Sequence, residues 1–213
     1  MAFLVEHFDD YLAGFGLTIL LAVTIIAIAS VVSLLLSFAR ASPITPLRVV
    51  CNGYVRTFRN IPELAVLLIL ASGAPKVGFI TSYFWFAVAA FTLYHSAFIA
   101  EILRSGFRSV PRGQVEAARA LGVPYTRTLT SIVLPVTLRT ALPALTNQAI
   151  AIVKGTALAS AVGVSDLTHV ADTIAVTESE PFIAFGIAAI AYLLLTIPLG
   201  VLVRRQEYRL EKV

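Results

Sequence analysis

Charge is scarce in this chain. Asp, Glu, Lys and Arg make up 13% of its 213 residues, about half the share of a soluble domain. With 58% of residues hydrophobic and a mean hydropathy of +0.88, too little polar side chain remains to clothe a water-facing globule. Cysteine is reduced to Cys51, which excludes a disulfide-stapled secreted domain. Glycine has no three-residue period, so collagen is excluded, and the apolar excess excludes disorder. No internal repeat, low-complexity tract or second domain breaks residues 1–213. No His, Cys or Asp cluster has metal spacing, and no Ser/His/Asp set suggests a triad. An integral membrane protein is left, and at about 20 residues per helical span the length accommodates roughly four to six.

The runs that are present set the spans. Tyr11 to Ala39 is free of charge. It is too long for a signal-peptide core, and acidic residues (Glu6, Asp9, Asp10) stand where such a peptide would be basic. A retained first helix over about 12–39 is expected. The run Leu64 to Pro75 is too short alone, but extended back it gives a second span over about 49–72 that carries Arg56, Arg59 and Glu63. Spans over about 78–103, with the aromatic anchor Tyr83–Phe86 at its start, about 138–164, and about 182–203 complete five. The expected fold is all-α.

The charges test that count. Glu6, Asp9, Asp10, Asp166, Asp172, Glu178 and Glu180 fall on one side with a single base, Lys76. Fourteen of the sixteen bases fall on the other: Arg40, Arg48, Arg56 and Arg59, six arginines from Arg104 to Arg139, then Arg204, Arg205, Arg209 and Lys212. By the positive-inside rule the N-terminus is outside and the C-terminus cytoplasmic. Dropping the second span breaks the alternation. Because the bases flank spans, membrane orientation explains them better than nucleic acid.

One cytoplasmic stretch is long, and its sequence, SVPRGQVEAARALGVPYTRTLTSIVLP from Ser109 to Pro135, reads as ordered. Pro111 and Pro124 suit helix starts. Gln114 to Leu121 are good helix formers, and Gly122 stands where a left-handed C-cap belongs. Ala117, Ala118 and Ala120 keep the helix thin enough for another surface to approach. Glu116 is expected early in it, favoured by the dipole. An ordinary amphipathic surface helix is the competing reading.

Glu116-Ala117-Ala118, Gly122 and Ile132-x-Leu134-Pro135 match the EAA motif of membrane subunits of ABC importers. Arg59-Asn60-Ile61-Pro62, Ser96 to Glu101, Gly113-Gln114, Ala141 to Leu145, and Lys154-Gly155-Thr156 through Val164 further resemble the permeases of polar amino-acid uptake systems. The resemblance covers nearly the whole chain. It implies a type I ABC importer permease fold in a bacterial plasma (inner) membrane, crossing it several times and in contact with lipid. It also implies that Gly113, Glu116, Ala117, Ala118, Gly122 and Pro124 form a coupling segment, within about 109–135, seated on a cytoplasmic ATPase. The partners implied are a pair of ATP-binding cassette subunits, a second permease (identical or paralogous) and an extracytoplasmic amino-acid-binding protein. No G-x-x-x-x-G-K-[ST] loop occurs here, so ATP and Mg are expected on the partner, with no cofactor or metal on this chain and no enzymatic role. No nucleic-acid partner is expected.

Within the spans, polar residues are candidates for the substrate pathway. Lys154 either lines a route or holds a gate, or else it pairs with Glu63 or Glu101 or snorkels outward, and the structural pairing is favoured. Glu63 replaces the apolar residue usual in the resembling permeases, and a pair with Arg59, four residues away, is favoured. His95 reads first as a hydrogen-bonded core residue. Asn147 and Gln148 are read by default as packing across helices, and Thr156 is taken with Gly155 as a place where the helix loosens. The alternative function is an ion-coupled secondary transporter or channel. The EAA segment and the shortage of intramembrane carboxylates argue against it. Glutamate, glutamine, arginine and histidine all stay open as cargo.

Overall fold

The structure is a computed structural model describing residues 2–211, without the side chains of residues 2, 4, 112, 125 and 209–211. Lys212 of the expected cytoplasmic bases lies outside the described residues. Every regular element among them is a helix. The short α1 (Ala2–Glu6) leads into α2 (Phe8–Ala41), whose buried residues Tyr11, Gly14, Thr18, Leu21, Ile25, Ala29 and Ser33 recur at spacings of three and four. The remaining faces of α2 carry Leu20, Val23, Val31, Leu35 and Phe38 outward. A helix apolar all round is suited to lipid rather than water.

The second expected span is not one straight helix. Residues 45–77 form α3 (Thr45–Asn60) and α4 (Glu63–Gly73), the latter extended by a 3-10 turn at Ala74–Val77, and the two are bent by 104°. The cause is local: Pro62 cannot donate to the ladder and pushes Ile61 to an extended conformation, φ −106° and ψ 151°. Asn60 Nδ2 donates to the Arg56 carbonyl at 2.6 Å, satisfying one acceptor at the break. Four stretches are long and apolar enough to cross a membrane, Phe8–Ala41, Tyr83–Arg108, Thr126–Val162 and Pro181–Tyr208, and counting the bent pair as one span gives five.

The central helix is α5 (Tyr83–Arg108), packed against α2, α3, α4 and the third long stretch. After α6 (Arg112–Ala120), the third long stretch runs from α7 (Tyr125–Thr128) through a π-turn at Leu129–Val133 into α8 (Leu134–Gly155) and a 3-10 segment, Thr156–Val162. Pro135 explains the π-turn. Its ring clashes with a carbonyl one turn back, and the Leu134 N–H reaches Leu129 O, five residues away. Gly106 lets α5 and α8 touch: a Cβ there would stand 2.9 Å from the Thr137 carbonyl oxygen. At one end α9 (Leu167–Glu178) packs between α2 and the outermost α10 (Pro181–Glu211). Asp166 caps α9 by accepting from the His169 N–H at 3.0 Å, and it receives the Tyr192 hydroxyl at 3.1 Å. Burial pushes its carboxyl pKa above 3.8.

Candidate translocation pathway and coupling surface

Helix α6 spans Arg112–Ala120 with Pro111 at its N-cap. Its end is a Schellman turn. The Gly122 N–H donates to Arg119 O and the Val123 N–H to Ala118 O, both at 3.0 Å, with Gly122 at φ +74°. Pro124 then accepts from the Thr128 N–H at 2.9 Å and starts the next helix. Ala118 is buried, whereas Gly113, Glu116, Ala117 and Arg119 are exposed. Because the helix begins at Arg112, Glu116 lies past its first turn, so the expected support from the dipole is lost. Its carboxylate has no ion-pair partner among the described residues.

Glu101 gathers three arginines from three helices. Arg40 of α2 donates two bonds to Oε2 at 3.1 Å, Arg104 of α5 bonds the same carboxylate, and Arg59 of α3 stands 3.7 Å from Oε1. Arg40 Nε also donates to Asn52 Oδ1 at 2.8 Å. The sequence reading missed this cluster, although Arg104 stood at the i, i+3 position from Glu101. Beside it a cavity of about 350 Å³ is lined by Arg59, Phe98, Glu101, Ser105, Ser109 and Thr140. The Arg59 guanidinium lies 5.7 Å from the Phe98 ring centre.

Two favoured pairings are corrected. Arg59 goes to Glu101 rather than Glu63, because the bend at Ile61-Pro62 takes the two residues off any common helix face. Lys154 has no carboxylate within 4.0 Å among the described residues, since Glu101 is taken by arginines and Glu63 turns to His95.

Glu63 Oε1 stands 2.8 Å from Nε2 of His95. His95 is 2% exposed. On the far side of its ring Gln148 Nε2 donates to Nδ1 at 2.8 Å, so a neutral ring carries its proton on Nε2, facing the carboxylate. The approach is short but off the N–H axis, so neither buried atom has an aligned hydrogen bond. Glu63 opens α4 just after Pro62 and lies against Gly155, whose ideal Cβ would be 3.1 Å from Oε1. Here α8 passes into its 3-10 segment. Lys154 and Asn147 are exposed and seven residues apart on one face of α8, in line with Thr140, Ala144 and Ala151. Thr156 departs from this face: it is fully buried and donates to Val153 O at 2.8 Å. The candidates therefore separate into a joined pair (Glu63, His95), an exposed face (Asn147, Lys154) and one packing residue. Gln148, read by default as packing, completes the joined group. Lys154 is thus exposed on α8, and Glu63 has only an unaligned approach to His95.

Comparison with known proteins agrees with this architecture. Residues 32–212 match the family described as binding-protein-dependent transport system inner membrane component. The chain is 35% identical over 212 residues to a probable glutamine ABC transporter permease, GlnM of Bacillus subtilis, covering 100% of this chain and 98% of that one. It is also 35% identical over 212 residues to HisM of Escherichia coli, a histidine/lysine/arginine/ornithine transport system permease, covering 94% and 89%. A crystal structure of an amino acid ABC transporter with histidines superposes with a TM-score of 0.91 at 30% identity, covering 97% of this chain and 96% of that one. The chain belongs to the binding-protein-dependent inner membrane components, as a multi-pass permease of the amino-acid ABC importer type with the type I fold.

Proposed function

We propose that this permease forms the passage for an amino acid across the membrane and drives it through α6, seated on a cytoplasmic ATP-binding cassette subunit. The observation that carries this is the built end of α6. A Schellman turn at Gly122 and a proline at each boundary make a short rigid lever whose exposed side, Glu116 and Ala117, has no ion-pair or hydrogen-bond partner for its side chains among the described residues. A lever of this kind transmits a displacement that a slack loop would absorb. The working assembly pairs two permeases, identical or paralogous, with two ATPases that hold ATP and Mg, and an extracytoplasmic binding protein delivers the cargo. The sorted charges support an external N-terminus and a cytoplasmic C-terminus. Glu63, His95, Asn147 and Lys154 are assigned to the pathway, and Thr156 to the packing behind it. The cargo is a polar amino acid, as in the relatives.

The test is co-purification followed by ATP hydrolysis. The wild-type chain should retain the ATP-binding subunit, and cargo with its binding protein should stimulate hydrolysis. In Gly122→Val the complex should assemble but lose that stimulation, because a β-branched residue is strained at φ +74°. Normal stimulated hydrolysis in this variant would sink the coupling role.

A further inference from the structure

We propose that His7 is a proton-operated clasp that fastens the C-terminal end of α9 to the start of α2. The imidazole lies between carboxylates from two helices. Its Nδ1 is 3.8 Å from Asp10 Oδ2 of α2, and its Nε2 is 3.9 Å from Glu178 Oε1 of α9. Both separations are too long for a hydrogen bond, and Nε2 is buried without a partner. The side chain is 14% exposed and is backed by Phe3 of α1, whose ring centre lies 5.1 Å from its own. Histidine is the side chain whose charge ordinarily changes between about pH 5 and 8. A neutral ring has one proton to offer and answers at most one of the two carboxylates. A protonated ring has an N–H for each, so it closes both gaps and joins α2 to α9. The hold is therefore present at low pH and lost as pH rises.

The two ends of α9 are held differently, which gives such a clasp something to act on. At the N-terminal end Thr18 Oγ1 of α2 accepts from the buried Leu167 N–H at 3.0 Å. Gly14 lets α2 come so close that a Cβ there would stand 3.2 Å from Leu167 Cα, and Asp166 caps the helix. The C-terminal end is locally disfavoured. Its last residue, Glu178, sets a carboxylate at the negative end of the helix dipole, with no base in the last turn. Ser179 follows at φ 56°, the one non-glycine residue with positive φ among the described residues. An imidazolium against Glu178 offsets the first of these, and no other group does. Glu6 of α1, Asp9 of α2, and Asp172 and Glu180 on and beyond α9 are exposed carboxylates. Tyr11 of α2 is buried and donates to Ala184 O, His169 lies at the opposite end of α9, and α10 carries no charged residue before Arg204. Because α9 follows the 3-10 segment that leads on from Gly155, the clasp governs how firmly that end of the candidate pathway is held. The side that supplies the proton is the one bearing the N-terminus, external in the reading proposed above.

The experiment uses the full chain, with the subunits that co-purify with it, in lipid nanodiscs, where both faces of the membrane meet the same buffer. Amide hydrogen exchange is read along α9 and corrected for the intrinsic effect of pH. In the wild type the amides of residues 174–179 should exchange at least about threefold more slowly at about pH 5.5 than at about pH 8. Those of residues 167–171 should not change, since Thr18 and Gly14 hold that end. His7→Gln should erase the difference and leave exchange at its faster, high-pH level. Glu178→Gln, at a side chain 46% exposed, should do the same and keeps the test open if His7→Gln fails to fold. Asp166→Asn should leave the difference in place, which separates the clasp from the proton on Asp166. A wild type without the difference, or a difference that survives in either His7→Gln or Glu178→Gln, overturns the clasp. Neither cargo nor ATP enters the measurement, so that result leaves the transport role standing.

Discussion

Arg40 and Glu101 are 61 residues apart in the chain and meet through two hydrogen bonds of 3.1 Å, joining α2 to α5. Their side chains are 12% and 19% exposed, so the pair is largely withdrawn from solvent. Glu101 also answers Arg59 and Arg104, and its removal leaves three guanidiniums facing one another. Glu101→Ala should therefore destabilise the folded protein by about 3 kcal/mol or more. Arg59→Ala, at a side chain 42% exposed, should cost about 1 kcal/mol or less. Thermal unfolding of the two variants in one detergent compares them directly, and equal shifts would contradict the network.

The contact of α5 with α8 depends on Gly106. A methyl there would meet the Thr137 carbonyl oxygen at 2.9 Å and the Thr137 Cγ2 at 3.1 Å. A backbone atom cannot step aside as a side-chain end can, so Gly106→Ala should force the helices apart and cost about 1–3 kcal/mol. Gly186→Ala is the control, since nothing lies within 4 Å of its Cβ position. Melting temperatures should separate the two variants.

Gly155→Ala should act on function more than on stability. The new Cβ would stand 3.1 Å from Glu63 Oε1 and 3.5 Å from Oε2, at the free end of a side chain. Glu63 can swing away and lose His95 rather than strain the fold. Uptake should fall about tenfold while the melting temperature changes little. Full uptake would show that the position of Glu63 is unimportant.

Asp166 predicts a pH dependence. Its pKa is raised from 3.8 by burial, so the folded protein holds this proton more tightly than the unfolded chain does. Stability should therefore fall as pH rises from about 4 through the raised value. Asp166→Asn keeps an oxygen for the His169 N–H and should flatten that slope. A slope unchanged in the variant would assign it to other groups.

Much of the α6 segment was legible because it rests on local rules. Gly122 was readable as a C-cap from its place after a run of helix formers, and Pro124 as the next start from its missing N–H. The contacts of Glu63, His95, Arg59 and Lys154 were not readable. Helical spacing proposed Arg59 for Glu63, but that spacing holds only on an unbroken helix, and Pro62 breaks it. The one long-range reading that favoured ion pairing, Lys154 with a carboxylate, failed because both candidates had nearer partners on other helices.

By itself the sequence determined that this is a helical membrane protein with a short, capped helix after its central span, because hydropathy, charge sorting and capping act over a few neighbouring residues. Tertiary structure decided that the second span is bent by 104°. It also decided that Glu101 collects arginines from three helices and that Glu63 rests on His95 while Lys154 stands apart. Those outcomes depend on which faces of distant helices come together, and spacing along one chain carries no record of that.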